Sequence, residues 1–281
     1  MVTTKSTFLK RNFCYLFLIV LTIASLFPFF ILLVNSTRNH AQIQRGFSAF
    51  FGTSFFANLS NLLHNENTPV LRALFNSVYV SFMSALLTTY FSAMTAYGIY
   101  MYNFKGKASA FKLILAIMMI PTQVSSLGFI QLLIKIKMID TLPALFIPSI
   151  AAPVVFFYMY QAMTATLSYS IVEAARIDGC PEFRIFNTIV IPLMKPAIAV
   201  QSIFAFVSSW NNYFIPALVI NSKLKKTIPI LIAQLRSADY QKFDMGQVYM
   251  IICLAIIPLV IVYMFLSRNI IRGVSVGAVK E

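Results

Sequence analysis

The sequence predicts an all-α membrane protein: a six-span helical bundle with one polar helix–break–helix loop set into it. Three observations carry that prediction. The 281 residues are 59% hydrophobic and only 11% charged, with a mean hydropathy of +0.80, whereas a soluble domain carries about 25% charged residues. The apolar residues come in unbroken runs comparable to the ~20 residues a helix needs to cross a bilayer, which favours helices over the alternating pattern of a barrel strand. The third observation is the stretch 166–196, where polar and charged residues gather between two apolar runs.

The spans are placed at 13–34, 74–99, 111–134, 143–165, 197–220 and 246–267, in a single transmembrane domain occupying 1–281 with a tail at 268–281. The first run follows Lys5, Lys10 and Arg11, as a signal peptide would. It is longer than the ~7–15-residue core of a secretory signal and no small-x-small site ends it, so it reads as a retained span. Pro28, Pro121, Pro148, Pro216 and Pro258 lie in or beside five of the six runs, as is common in membrane helices. The loops 35–73 and 221–245 are the longest on the outer side; Phe47, Phe50, Phe51, Phe55 and Phe56 in the first suit a segment lying on the membrane or against a partner. Basic residues divide twelve to ten between the two sides, so charge alone barely orients the chain.

Composition excludes several functions. The formal charge of +14 is scattered between apolar runs, with no dense basic stripe for nucleic acid. Cys14, Cys180 and Cys253 make no disulfide framework, and His40 and His64 lack metal-ligand spacing. No Gly-x4-Gly-Lys-Ser/Thr run exists, so no phosphate cradle is encoded and no catalytic residue is assigned.

Within the polar stretch, Ser170 and Glu173 have capping-box spacing. A helix is expected through Ala174, Ala175 and Ile177, whose paired alanines leave a low surface. Gly179 sits where the chain must leave that helix with φ > 0. Pro181 suits the start of a second helix carrying Phe183, Ile185, Phe186 and Ile189, which Pro192 is expected to end. At membrane depth, polar groups are costly and tend to be functional. Gln123 in the third run and Gln201, Trp210, Asn211, Asn212 and Tyr213 in the fifth are therefore candidates for a solute path, with hydrogen bonding between helices as the alternative. On a helix Asn211 and Asn212 point about 100° apart; Asn212 is preferred because Ser208 lies one turn earlier on its stripe.

The spacing Glu173-Ala-Ala, three residues, Gly179, nine residues, Ile189-x-x-Pro192 resembles the cytoplasmic coupling loop of membrane subunits in binding-protein-dependent ABC importers. Further matches follow in order: Asn76-Ser77, Ile120-Pro-Thr-Gln-Val124, Ile139-Asp-Thr-Leu142, Ser209-Trp-Asn-Asn-Tyr213 and Arg272-Gly-Val-Ser-Val-Gly-Ala-Val-Lys280. They resemble the carbohydrate branch that includes the maltose-type permease. Ile191 and Cys180 depart mildly from that pattern, and 47–63 matches it poorly.

The resemblance implies a permease subunit, not itself an enzyme, that forms half of a sugar path. Its implied partners are a second homologous permease, two ATPase subunits holding ATP and Mg, and an extracytoplasmic sugar-binding protein. The implied location is a bacterial or archaeal cytoplasmic membrane, with both termini cytoplasmic. Glu173, Ala174, Ala175, Asp178, Gly179 and Pro192 would engage the ATPase. The segment 221–245 would face the binding protein, and the tail would reach the ATPase pair. Two other readings are a permease for a glycerol-phosphate-type solute and a secondary transporter. The first would want basic residues in the path. The second usually needs intramembrane ionisable groups, whereas Glu66, Asp140, Glu173, Asp178, Glu182, Asp239, Asp244 and Glu281 all fall outside the runs.

Overall fold

A computed structural model describes residues 4–65, 68–237 and 243–277. In chain order the helices are α1 (Thr4–Ser36), α2 (His40–Gln44), α3 (Phe55–Leu63), α4 (Val70–Met101), α5 (Lys107–Ile117), α6 (Thr122–Lys135), α7 (Pro143–Phe146), α8 (Pro153–Thr166), α9 (Tyr169–Ile177), α10 (Glu182–Ile185), α11 (Ile191–Leu193), α12 (Lys195–Trp210), α13 (Phe214–Val219), α14 (Ile228–Arg236) and α15 (Met245–Gly277). No strand occurs among the described residues.

Four stretches are long and apolar enough to cross a membrane: Lys10–Ser36, Val70–Met101, Pro143–Thr166 and Met245–Phe265. The runs at 111–134 and 197–220 are not continuous helices. The first is α5 and α6 separated at Met118–Pro121, where Pro121 takes an extended conformation. The second is α12 and α13, with Asn211–Tyr213 between them. A further pair, Glu182–Leu193 and Lys195–Trp210, is bent by 82° at Met194. Glu66, Asp239 and Glu281 lie outside the described residues, as does the tail beyond Gly277. The part of the tail that is described continues α15 as helix.

The chain divides into two compact units. One comprises Met1–Thr68 and Ile232–Ile256. Its organising group is buried Arg38, which donates to the Asn35 side chain at 3.0 Å, to the Gly46 carbonyl at 3.1 Å and to the Gln42 carbonyl. Asn58, also buried, donates to the Ser36 and Arg38 carbonyls, each at 2.9 Å. Gly246 packs so close to Asn58 that a Cβ there would lie 2.7 Å from its side-chain oxygen.

The other unit comprises Pro69–Leu231 and Ile257–Glu281, and α4 is its axis. Two rows of small residues at four-residue spacing run along α4: Ala73, Ser77, Ser81, Ala85, Thr89 and Ala93, and beside them Ser84, Thr88, Ser92 and Ala96, all buried. Without bulky side chains, neighbouring backbones approach closely, and α8 and α12 both pack on α4. The rows also satisfy polar backbone. The fourth run loosens into a 3-10 turn at Ile147–Ile150 before Pro153. Thr88 donates to the Ser149 carbonyl at 3.0 Å and Ser92 to the Ala152 carbonyl at 3.4 Å. A core of Phe156, Met159, Met163, Val172, Ile185, Phe186 and Val190 closes around the Ala93–Tyr97 end of α4.

A larger side chain in these rows should be costly. Ala93→Leu, at a site with no solvent exposure, is expected to destabilise by about 1–3 kcal/mol through overpacking. Thermal unfolding in detergent should show a lower midpoint than the parent. Leu86→Met, at a half-exposed position on the same helix, should leave the midpoint nearly unchanged; equal midpoints for Ala93→Leu and Leu86→Met would contradict the close-packing account.

Candidate functional site: a polar loop and a hydroxyl-lined cleft

The polar loop is two short helices joined by a tight stop. α9 ends in a glycine-based C-cap: the Cys180 N–H donates to the Ala175 carbonyl and the Gly179 N–H to the Arg176 carbonyl, both at 3.0 Å. That pairing needs a left-handed residue after the cap, and Gly179 has φ +75°. The start of α9 differs from the expected capping box. Tyr169 already belongs to the helix, Ser168 is the N-cap without a side-chain cap bond, and Ser168 and Ser170 pair their hydroxyls at 2.7 Å. With the helix beginning earlier, Ser170 lies inside it and its backbone cannot adopt cap geometry. Pro192 does not end the second helical stretch. A π-helical turn at Phe186–Val190 precedes it, and α11 carries the chain through to Leu193. Wider turns of this kind accommodate a residue that has no N–H to give.

Glu173, Ala174, Asp178, Gly179 and Pro192 are exposed, while Ala175 is buried under the loop. Beside the exposed group stand two apolar side chains, Ile177 at 87% and Phe183 at 69% exposure.

What holds the loop was not read from the sequence. Arg176 on α9 and Glu182 on α10 form an ion pair across the glycine break, Nε to Oε1 at 2.5 Å. The Tyr97 hydroxyl of α4 donates to the other Glu182 oxygen at 2.7 Å. The Arg176 guanidinium lies 5.4 Å from the centre of the Tyr102 ring. Tyr100 donates to the Leu167 carbonyl at 3.0 Å and accepts on its own carbonyl from the Tyr169 hydroxyl at 3.1 Å. Tyr90 donates to the Asn187 side-chain oxygen at 3.2 Å. One end of α4 thus grips the loop with a series of tyrosines. The Arg176 hydrogen bond, assisted by Tyr97 and Tyr102, holds the Glu182 carboxyl below its ordinary pKa. The only signal in the sequence was the six-residue Arg–Glu separation, which no helical spacing rule selects because a break lies between.

A second carboxylate ties another loop. Asp140, between α6 and α7, has φ +59°. Its side chain accepts from the Asn221 and Ser222 N–H groups at 2.9 and 2.8 Å, from the Ser222 hydroxyl, and from Lys225 Nζ at 3.2 Å. These bonds, led by those from Ser222, hold the carboxyl far below the usual range.

The cleft has a volume of about 760 Å³, within the ~300–1,000 Å³ range of small-molecule sites. α4 contributes Ser84 and Thr88; α12 contributes Gln201, Ser208 and Ser209; Ser149, Tyr158 and Asn212 complete its polar lining. Leu145, Phe204, valines and alanines fill the remainder, and no charged side chain lines it. Among the residues expected to line a path, Gln201 and Asn212 are in the cleft wall. Gln123 is exposed on α6, Trp210 is buried and stacked on Phe206 with ring centres 5.8 Å apart, and Asn211 and Tyr213 are exposed outside the wall. The expected 100° divergence of Asn211 and Asn212 does not apply, because α12 stops at Trp210 and both residues lie in the break. Asn212 instead faces the start of α13, accepting from the Ile215 N–H at 3.4 Å.

Several helical spans, a polar loop gripped by one of them and an uncharged cleft define a multi-pass membrane permease. Residues 85–276 match the family described as binding-protein-dependent transport system inner membrane component, and the chain belongs to that family. It is 35% identical over 271 residues, 94% of each chain, to the arabinooligosaccharides transport system permease protein AraQ of Bacillus subtilis (strain 168). It is 29% identical over 266 residues, 93% of this chain and 94% of the relative, to the sn-glycerol-3-phosphate transport system permease protein UgpE of Yersinia enterocolitica. Its fold matches a chain in the crystal structure of a bacterial ABC transporter involved in the import of the acidic polysaccharide alginate, with a TM-score of 0.81, 19% identity, and coverage of 95% of this chain and 99% of that one.

The Glu182 pair carries a pH signature. A carboxylate whose folded pKa is depressed contributes stability above its unfolded pKa and loses it as pH falls through the folded value. Glu182→Gln should therefore lower the thermal midpoint at neutral pH, and the gap to the parent should close below the ordinary glutamate value of about 4.3. A gap that stays constant from pH 7 to pH 3 would remove the ion pair as its cause.

Proposed function

We propose that this chain forms half of the translocation path of an ABC importer for a sugar or oligosaccharide. The uncharged cleft carries that reading. Hydroxyls and amides exchange hydrogen bonds with sugar hydroxyls, and Tyr158 and Phe204 offer faces to the sugar's C–H surfaces. The 35% identity to a permease named for arabinooligosaccharides supports the same solute class. A phosphorylated solute, as the name of the UgpE relative would suggest, calls for Arg or Lys, and the cleft lining has neither.

In this reading a second, homologous permease completes the path and an extracytoplasmic binding protein delivers the sugar. Two ATPase subunits bind ATP and Mg and dock on the cytoplasmic face of the loop. Glu173, Ala174, Asp178 and Gly179 with Ile177 and Phe183 supply the docking surface: the small residues let the partner approach and the two apolar side chains fill its cleft. Ala175 and Pro192 shape the loop from beneath and behind. The protein resides in a bacterial or archaeal cytoplasmic membrane with both termini inside, and its tail reaches the ATPase pair.

Uptake by the reconstituted complex tests the reading. Proteoliposomes holding all subunits should accumulate an arabino-oligosaccharide probe with ATP, and should fail to accumulate sn-glycerol 3-phosphate. Asn212→Leu and Gln201→Leu should lower uptake without preventing assembly. Accumulation by this chain alone, driven by a proton or sodium gradient, would replace the reading with a secondary transporter. Gly179→Val tests the loop. No neighbouring atom lies within 4 Å of an added Cβ, so no clash at Cβ adds to the cost of the left-handed backbone, about 1–2 kcal/mol. Uptake should fall while the variant still reaches the membrane; unchanged uptake would show that this stop is not needed for coupling.

A further inference from the structure

α4 is fastened at both ends to loops that lie on opposite faces of its own unit. Near its last turn, Tyr97 holds the Arg176–Glu182 pair of the polar loop. Near its first turns, the Asn76 side-chain amide donates to the Leu224 and Lys226 carbonyls at 2.9 and 3.0 Å. The neighbouring Ser77 hydroxyl accepts from the Ile228 N–H at 2.8 Å. Asn76 and Ser77 are 1% and 2% exposed. The two anchors are 21 residues apart on one helix (Asn76 to Tyr97), which at ~1.5 Å per residue is roughly 32 Å, about the thickness of the hydrocarbon core. No proline interrupts α4 between them. Ser84 and Thr88, in the cleft wall, lie between the anchors.

The loop held by Asn76 is stiff. Asp140 fixes Asn221, Ser222 and Lys225, and Asn76 and Ser77 fix Leu224, Lys226 and Ile228. A displacement of α4 therefore has to move 221–228 or break several buried hydrogen bonds. At the other end, the Arg176–Glu182 pair makes α9 and α10 one body despite the glycine between them, so a push on either short helix reaches Tyr97.

We propose that α4 is the mechanical link between the polar loop and the 221–228 loop, with Asn76 and Glu182 as positioning residues at its two ends. Resting on the proposed ATPase docking, nucleotide binding on one face of the membrane alters the 221–228 loop on the other through this helix, and shifts Ser84 and Thr88 of the cleft on the way. Neither residue needs to touch solute or nucleotide.

The experiment reads the remote loop directly. Lys223, exposed at the tip of 221–228, is replaced by cysteine in a background where Cys14, Cys180 and Cys253 are alanine. The full complex in lipid nanodiscs is labelled with a water-soluble maleimide, with and without a non-hydrolysable ATP analogue. The parent should change its labelling rate about fivefold or more on adding nucleotide, the lower end of ordinary allosteric coupling. Asn76→Leu and Glu182→Gln should each remove that response, and the double variant should be no worse than either, because links in series fail once. Glu182→Asp, which keeps the carboxylate, should restore part of it. A purely local structural role would change the labelling rate equally with and without nucleotide. Ser77→Ala and Tyr97→Phe, each losing one hydroxyl, replace the larger changes if those do not assemble. A parent response that survives in the single variants, or losses that add, would overturn the link and leave the docking reading standing. A parent with no nucleotide response would overturn both.

Discussion

Hydrocarbon offers no partner to a backbone N–H or C=O, so the groups released where a helix breaks inside this bundle need partners from side chains, local turns or water. That constraint explains α4. Its paired rows of alanine, serine and threonine do two tasks with one set of atoms. Their size lets α8 and α12 come close, and their hydroxyls reach the carbonyls released near Ile147–Ala152. A row of leucines would have packed against lipid equally well and could have done neither. The breaks are thereby affordable, and the breaks are what shape the cleft: Ser149 and Asn212, two of its polar walls, both come from interrupted helix.

The same helix answers a different problem at its end. A loop whose two helices meet at a left-handed glycine is held there by only the two backbone hydrogen bonds of the cap, so the second helix needs a further tie. The Arg176–Glu182 pair supplies that tie. At 33% and 39% side-chain exposure the pair is only partly buried, and the Tyr97 hydroxyl reinforces it by donating to the other carboxylate oxygen. In the proposed docking, the outward-facing Ile177 and Phe183 would gain from this rigidity, because apolar side chains on a fixed surface bind without a further ordering cost for the loop.

The all-helical membrane architecture and the helix–glycine–helix loop were legible in the sequence because both rest on local signals, long apolar runs and a stop residue. What escaped depends on contacts distant in the chain. The runs at 111–134 and 197–220 read as continuous because hydropathy averages over a window and is blind to Pro121 or to the paired asparagines at Asn211–Asn212. Once α12 ended at Trp210, helical geometry no longer governed where those asparagines point. Gln123, Trp210, Asn211 and Tyr213 were chosen for polarity at apparent membrane depth, but polarity does not say which face a residue occupies. Ser84, Thr88 and Ser149 give no signal of a cleft because small hydroxyls in an apolar run look like ordinary packing, and most of those on α4 serve for packing as well; Tyr158 reads as one more bulky residue of the fourth apolar run. Arg176 and Glu182 became a pair only because the chain reverses between them.

The placement of charge bears on how such a cleft would work. Among the described residues, the carboxylates Asp140 and Glu182 are consumed in holding loops at different places in the unit, and neither lines the cleft. A charged wall in a low-dielectric site would bind a complementary group strongly and release it slowly, which suits a receptor better than a conduit. Hydroxyls and amides make weaker, exchangeable bonds, each worth about 0.5–1.5 kcal/mol net, and several of them in sequence offer a hydroxylated solute successive footholds with no deep trap. Selection among solutes would then come from shape and, in the proposed function, from the binding protein that delivers the solute, while the energy for directional movement would enter from outside the cleft. In the function proposed above, the gripped polar loop would receive that energy, and α4 is the helix that joins it to the cleft wall.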